Sequence, residues 1–279
     1  MHPLWTTAFQ ETWDDCRRRY VDFKPVGERL KELHCQARQW DQSESLLQED
    51  HLKTPVIARQ FPDYFKRVIL PVFSQNEATA LALDEFAEAM DQWHLEDPGV
   101  ETRIPQWLQQ LQQQAMHLCK PIQPDFVTLI VSLSLAHLYR SIPAAKPETP
   151  AGATQSGVCP VCGLPPHFAA LVETEGYRQM ECWLCGEHWP FTRLECPYCG
   201  EHHPEKLGYF TVEKMEVCRI HFCHSCQAYL KVFDTRSLAL KDPCLWVMHL
   251  ATLICDDLAA AEGYHPGSEM EWHQWMVME

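Results

Sequence analysis

The chemistry on offer in this sequence lies in four pairs of cysteines with identical spacing. They are Cys159-Pro-Val-Cys162, Cys182-Trp-Leu-Cys185, Cys196-Pro-Tyr-Cys199 and Cys223-His-Ser-Cys226. In chain order they form two consecutive units, C-x2-C-x19-C-x2-C and C-x2-C-x23-C-x2-C, with ten residues between them. The first falls in the zinc-ribbon spacing window and the second is slightly longer. Two thiolates on one tight turn can share a metal ion, and a second such turn completes a tetrahedron with metal–sulfur bonds of about 2.3 Å. Glycine follows three of the pairs, at Gly163, Gly186 and Gly200, where a knuckle needs positive φ, and Gln227 follows the fourth. Pro160 and Pro197 limit the freedom of the unfolded turns.

Two other uses of paired thiols compete with metal binding. A redox dithiol of the thioredoxin type occurs once, at the start of a helix in an α/β fold. Here the motif occurs four times in turn-rich sequence with no βαβ pattern. Disulfides require an oxidising compartment. Metal binding by all eight thiols is therefore the favoured reading. Four thiolates suit zinc, and a single iron ion takes the same tetrahedron and is redox-active, so the metal stays open between the two. A closed four-thiolate site leaves no position for metal-activated water, and none of the nucleophile-elbow, phosphate-loop or H-E-x-x-H motifs is present. His188, His202, His203, His221 and His224 lie among the cysteines as weaker ligand candidates. Cys218 is a spare thiol better suited to packing, and Cys244 and Cys255 read as core.

The elements that must position these pairs change character along the chain. Nine of the fourteen cysteines fall between Cys159 and Cys226, where helical patterning gives way to short strand-like pieces such as 169–172 and 208–212. Upstream, 1–141 reads as a helical domain. Its clearest helix is 77–93, with Leu83, Phe86, Met90 and Trp93 as the apolar stripe, Asp84, Glu88 and Asp91 opposite, and Asn76 as cap. Further helices are expected over 106–119 and 124–139. A Pro- and Ala-rich linker occupies 142–158. The two four-cysteine modules then span 159–195 and 196–234, and 235–279 supplies a closing helix and tail. In that helix Trp246, Leu250, Leu253, Ile254 and Leu258 share one face, and Gly263 ends it.

Composition narrows the partners. A net charge of −15 over 279 residues argues against nucleic acid or an anionic membrane surface. The stretch from Cys159 to Phe233 has six Lys+Arg against nine Asp+Glu, which weighs against a nucleic-acid-binding zinc ribbon. The longest apolar run, 126–138, is too short for the roughly 20 residues of a membrane span, so no membrane insertion is expected. The opening residues lack a basic stretch followed by an apolar one, and Arg17-Arg18-Arg19 is followed by no apolar run, so a reducing cytoplasm is expected.

The run CPVCG-x-x-P, ECWLCGEHW, R-x-x-CPYCG and CHSCQAYLK, between Cys159 and Lys231, resembles the formate dehydrogenase accessory protein (FdhE) family. So does the ending Asp256-Asp-Leu-Ala-Ala-Ala-Glu-Gly-Tyr264. The resemblance implies an α + small β fold: a helical domain followed by two tandem rubredoxin-like modules and a closing helix. It implies two mononuclear metal ions, iron or zinc, one held by Cys159, Cys162, Cys182 and Cys185 and the other by Cys196, Cys199, Cys223 and Cys226. It also implies a non-enzymatic cytoplasmic factor that binds the molybdenum or tungsten catalytic subunit of formate dehydrogenase before export. The alternatives are a nucleic-acid-binding zinc ribbon and an electron relay through mononuclear iron. Neither client nor oligomeric state is specified by the sequence.

Overall fold

The computed structural model describes residues 61–73, 157–239 and 243–268 continuously, with separate positions within 11–18, 83–88 and 132–138, and residue 32. The chain divides into two compact units, one formed by Pro3–Lys24 with Pro147–Glu279 and the other by Pro25–Lys146.

In the second of these units, 61–73 is helical and buries Phe61, Tyr64, Phe65, Val68, Ile69 and Val72, a stripe at helical spacing. Its middle, Phe65–Ile69, widens into a π turn, with the Leu70 N–H bonded to the Phe65 carbonyl. Pro71 supplies the reason, because a proline inside a helix lacks the N–H and crowds the carbonyl four residues back. Leu83 and Ala87 are buried while Asp84 and Glu88 are exposed, in keeping with the stripe expected over 77–93. Phe86, Met90, Trp93, Asp91 and Asn76 lie outside the described residues, as does the helix expected over 106–119. Ser132, Ser134, Leu135, Ala136 and Leu138 are helical and buried. Among the described residues no helix is long and apolar enough to cross a membrane.

The cysteine-rich residues form a mixed sheet. Its strands are β1 (Phe168–Val172), β2 (Tyr177–Glu181), β3 (His188–Pro190), β4 (Leu207–Thr211), β5 (Cys218–Cys223), β6 (Ala228–Asp234) and β7 (His265–Pro266). The order is β3-β2-β1-β6-β5-β4, with β7 beside β6. Each cysteine module thus contributes three antiparallel strands, and the modules join edge to edge through a parallel β1–β6 pairing that sets Phe168 opposite Lys231 and Leu171 opposite Asp234. On the same edge of β6, nearer its start, β7 pairs with Ala228 and Tyr229. All seven residues of β6 are buried, as suits a central strand with parallel neighbours.

The closing helix is broken. α1 (Leu245–Ala251) and α2 (Ile254–Ala261) are separated at Thr252, whose hydroxyl donates to the Met248 and His249 carbonyls and competes with the helical ladder. The expected single apolar face is therefore corrected: Trp246 and Leu250 are buried, but Ile254 and Leu258 are exposed. α2 turns Cys255, Asp256 and Ala259 inward instead.

The inward turn of α2 is fixed by a buried ion pair. Lys231 and Asp256 are each 1% exposed and pair directly. Lys231 also donates to His249 Nδ1 at 3.2 Å and to the His249 carbonyl at 3.1 Å, so all three ammonium protons have acceptors. Tyr229 donates to the second Asp256 oxygen at 2.8 Å. A buried charge is tolerated only with such full pairing. The bond from Trp246 Nε1 to the Trp183 carbonyl, 2.7 Å, ties α1 to the second knuckle of the first module. On the N-terminal side Thr12 accepts from the Cys244 N–H at 2.9 Å.

Candidate metal centres

The knuckles follow one backbone pattern. The first cysteine of a pair donates its N–H to the carbonyl five residues on: Cys159 to Leu164 (2.7 Å), Cys182 to Glu187 (2.9 Å) and Cys196 to Glu201 (2.8 Å). Gly163, Gly186 and Gly200 return their N–H groups to the first cysteine's carbonyl at 2.9, 2.9 and 3.0 Å. These glycines have φ between 71° and 77°. Gln227 takes the equivalent place in the fourth knuckle with φ of 56°, so the turn is kept in spite of its side chain.

This backbone brings eight thiols into two sets of four, Cys159, Cys162, Cys182 and Cys185, and Cys196, Cys199, Cys223 and Cys226, with the sulfurs of each set within 4.8 Å of one another. In the first set the cross-knuckle separations are 3.5 Å for Cys159–Cys185 and 3.4 Å for Cys162–Cys182. In the second, Cys196–Cys226 and Cys199–Cys223 are both 3.7 Å. A tetrahedron with bonds of about 2.3 Å has edges of about 3.8 Å, so the donor sets fit a four-thiolate metal ion. Each set can hold one ion.

The thiols interact strongly. Hydrogen bonds from Cys162, Cys182 and Cys185 hold the Cys159 thiol far below its usual range, whereas burial raises Cys182. In the second set burial pushes Cys226 up to about 11. Burial raises the Cys196 thiol although backbone N–H groups of Cys199 and Tyr198 point at its sulfur, whereas at Cys223 the N–H groups of Cys226 and Ser225 help to lower the thiol against burial. The knuckles of the second set are also linked through Glu201, which accepts from the Ser225 hydroxyl at 2.6 Å and from the His202 and His203 N–H groups at 2.9 and 3.0 Å.

The histidines stand outside both sets. His188 pairs with Glu181 at 3.1 Å, His203 lies 3.9 Å from Glu205, and the His224 ring meets the Tyr264 hydroxyl at 3.2 Å. His221 stacks on Tyr209, and its burial, with Arg178, Arg193 and Arg219 nearby, lowers its pKa to about 3. Cys218 is buried at the start of β5, hydrogen-bonded to Cys255, whose sulfur lies 3.6 Å from that of Met215. Cys244 is half-buried at the N-cap of α1.

Sequence reasoning missed the Lys231–Asp256 pair. Its signal was present in the Tyr-Leu-Lys tail after the fourth knuckle and in Asp256-Asp257, both quoted for the family resemblance but given no structural role.

No protein-family model matches the chain. A protein named "Protein FdhE homolog" from Aquifex aeolicus (strain VF5) is 31% identical over 109 residues, covering 38% of this chain and 38% of the relative. A second "Protein FdhE homolog", from Pseudomonas aeruginosa (PAO1), is 34% identical over 121 residues, 38% of this chain and 36% of the relative. The chain thus matches under two fifths of the length of these curated relatives. The crystal structure of the FdhE protein from Pseudomonas aeruginosa shares the fold, with a TM-score of 0.62 at 21% identity over 88% of this chain and 87% of that one. By its motifs, these matches and the shared fold, the chain is a relative of the FdhE proteins.

Proposed function

We propose that the protein is a cytoplasmic, non-enzymatic accessory factor for the maturation of a formate dehydrogenase. It binds the molybdenum or tungsten catalytic subunit during assembly, before export, and carries two iron or zinc ions in rubredoxin-like modules at 159–195 and 196–234. The observation that carries this reading is the pair of four-thiolate sets on one continuous sheet, in a chain related to FdhE proteins. The metals' role is to hold the knuckles in shape, so that the surface offered to the client is preformed.

Replacing Cys159 and Cys162 by Ala in the native host tests this. The expected result is loss of bound metal, loss of the catalytic subunit from affinity-purified complexes, and a fall in formate dehydrogenase activity. Unchanged metal content and unchanged activity would overturn it.

A second reading, an electron relay through mononuclear iron, is favoured by the exposure of Cys199, which brings one edge of the second set to solvent. A colourless, iron-free protein that still matures the enzyme excludes that reading and leaves the first intact.

A further inference from the structure

Beside the second thiol set lies a cavity of about 30 Å³, lined by Arg178, Arg193, His221, Tyr198 and Glu195 and by the thiol-bearing residues Cys196 and Cys223. That is room for more than a single water-sized group. Two arginines line it beside apolar residues that include Leu207, Phe222 and Leu230.

Arg178 is the centre of the arrangement. It is 4% exposed, yet among the described residues its guanidinium has no carboxylate in ion-pair contact. One nitrogen donates to the backbone carbonyls of Thr192 and Glu195, the latter at 2.6 Å, and the group lies 5.1 Å from the Phe191 ring centre. Its Nε–H is buried with no acceptor. His221 Nε2 is likewise buried and unpartnered. Arg193 reaches the same cavity from the exposed turn after β3 and makes no hydrogen bond or ion pair among the described residues. Tyr198 is spent elsewhere, donating to the Pro166 carbonyl at 3.0 Å. Glu195 is the one acid in the lining, and it offers Arg178 its backbone carbonyl.

Buried cations and buried N–H groups are retained where something completes them. Two guanidinium groups and an unsatisfied Arg178 Nε–H beside a small opening are the recognition chemistry of a planar oxyanion, which arginine binds through paired N–H donors. We propose that this cavity is a binding site for a single carboxylate or similarly sized oxyanion, held by Arg178 and Arg193. Its free-acid form and a protein-borne carboxylate share that chemistry. The site is independent of the accessory role proposed above.

The test uses the full-length, metal-loaded protein with ¹⁵N-labelled arginine. The Nε–H resonances are followed while sodium acetate, inorganic phosphate or a short Asp-containing peptide is added at constant ionic strength made up with chloride. The expected result is a saturable shift of the Arg178 signal with acetate or phosphate, and an affinity at least fivefold weaker in Arg193→Gln, whose exposed position leaves folding intact. A response to the peptide at lower concentration than to acetate identifies a protein-borne carboxylate as the preferred source, and the reverse order identifies the free acid. A linear or absent response to all three probes, or equal affinity in Arg193→Gln, overturns the proposal.

Discussion

The two thiol sets share a spacing and a backbone turn but differ in their surroundings. In the first, Cys159, Cys162 and Cys182 are buried, and the knuckle Cys182-Trp-Leu-Cys185 drives Trp183 and Leu184 into the core against α1. In the second, Cys199 is exposed, and so are His224 and Ser225 between the last pair of cysteines. The contrast is sharpest between the second and fourth knuckles, where Trp183 and Leu184 are buried and His224 and Ser225 are exposed. The two sets could therefore hold an ion in different settings, one within the core and one with an edge at solvent.

The strongest way to break this comparison is to remove one ligand from the buried set. Cys182 is fully buried. Its replacement by Ser removes a ligand from a site whose metal binding is worth on the order of 10 kcal/mol, comparable to the whole stability of a domain. The expected outcome is a chain without a cooperative thermal transition. Cys199→Ser, by contrast, lowers the metal content from two ions to one and keeps the transition. Metal analysis alongside circular dichroism distinguishes the two variants. If both lose the fold equally, the buried and exposed sets are not different in kind.

The join between the modules comes next. Lys231 on β6 pairs with Asp256 on α2, and β6 is the strand through which the two modules meet. Asp256→Asn leaves a buried ammonium uncompensated, which costs roughly 3–5 kcal/mol, while a double replacement by apolar residues, Lys231→Met with Asp256→Leu, recovers most of that loss. Denaturant unfolding measures both. Equal loss in the single and double variants would show that the charges themselves are required.

These contrasts explain what the sequence could reveal. The cysteine pairs, their grouping in fours and the strands near 169–172 and 208–212 were legible because they are local. The parallel pairing of β1 with β6 was not. It joins residues about sixty positions apart, and no periodicity within either strand encodes the partner. The burial of Lys231 depends on His249 and Asp256, 18 and 25 residues further along the chain. The break at Thr252 was hidden by an apolar spacing that continued through it, and only the inward pull on Asp256 explains why Ile254 and Leu258 face solvent. Arg178 was silent for a similar reason: an arginine in an alternating strand is expected to point outward.

Exposure is also expected to set the order in which bound ions leave. With a chelator in excess, the second set is expected to release its ion at least about tenfold faster than the first, a barrier difference of about 1.4 kcal/mol. A two-phase release curve for the native protein, reduced to the slow phase in Cys199→Ser, is the outcome that supports the comparison. A single phase in the native protein would erase it.

The smallest effect sharpens the comparison at one backbone position. Gln227 holds φ of 56° where the other three knuckles have glycine. A non-glycine residue in that region carries strain of about 1 kcal/mol or somewhat more, and Gln227→Gly removes it. Glycine also gives the unfolded chain more freedom to lose, which offsets roughly 0.5–1 kcal/mol of the gain. The net expectation is a stabilisation of a few tenths of a kcal/mol, seen as a slightly slower fast phase in chelator release and no change in the slow one. Because Gln227 is itself exposed, no side-chain packing is lost in the exchange. A faster release in Gln227→Gly would mean that the Gln227 side chain, and not the turn alone, helps to close the second knuckle pair.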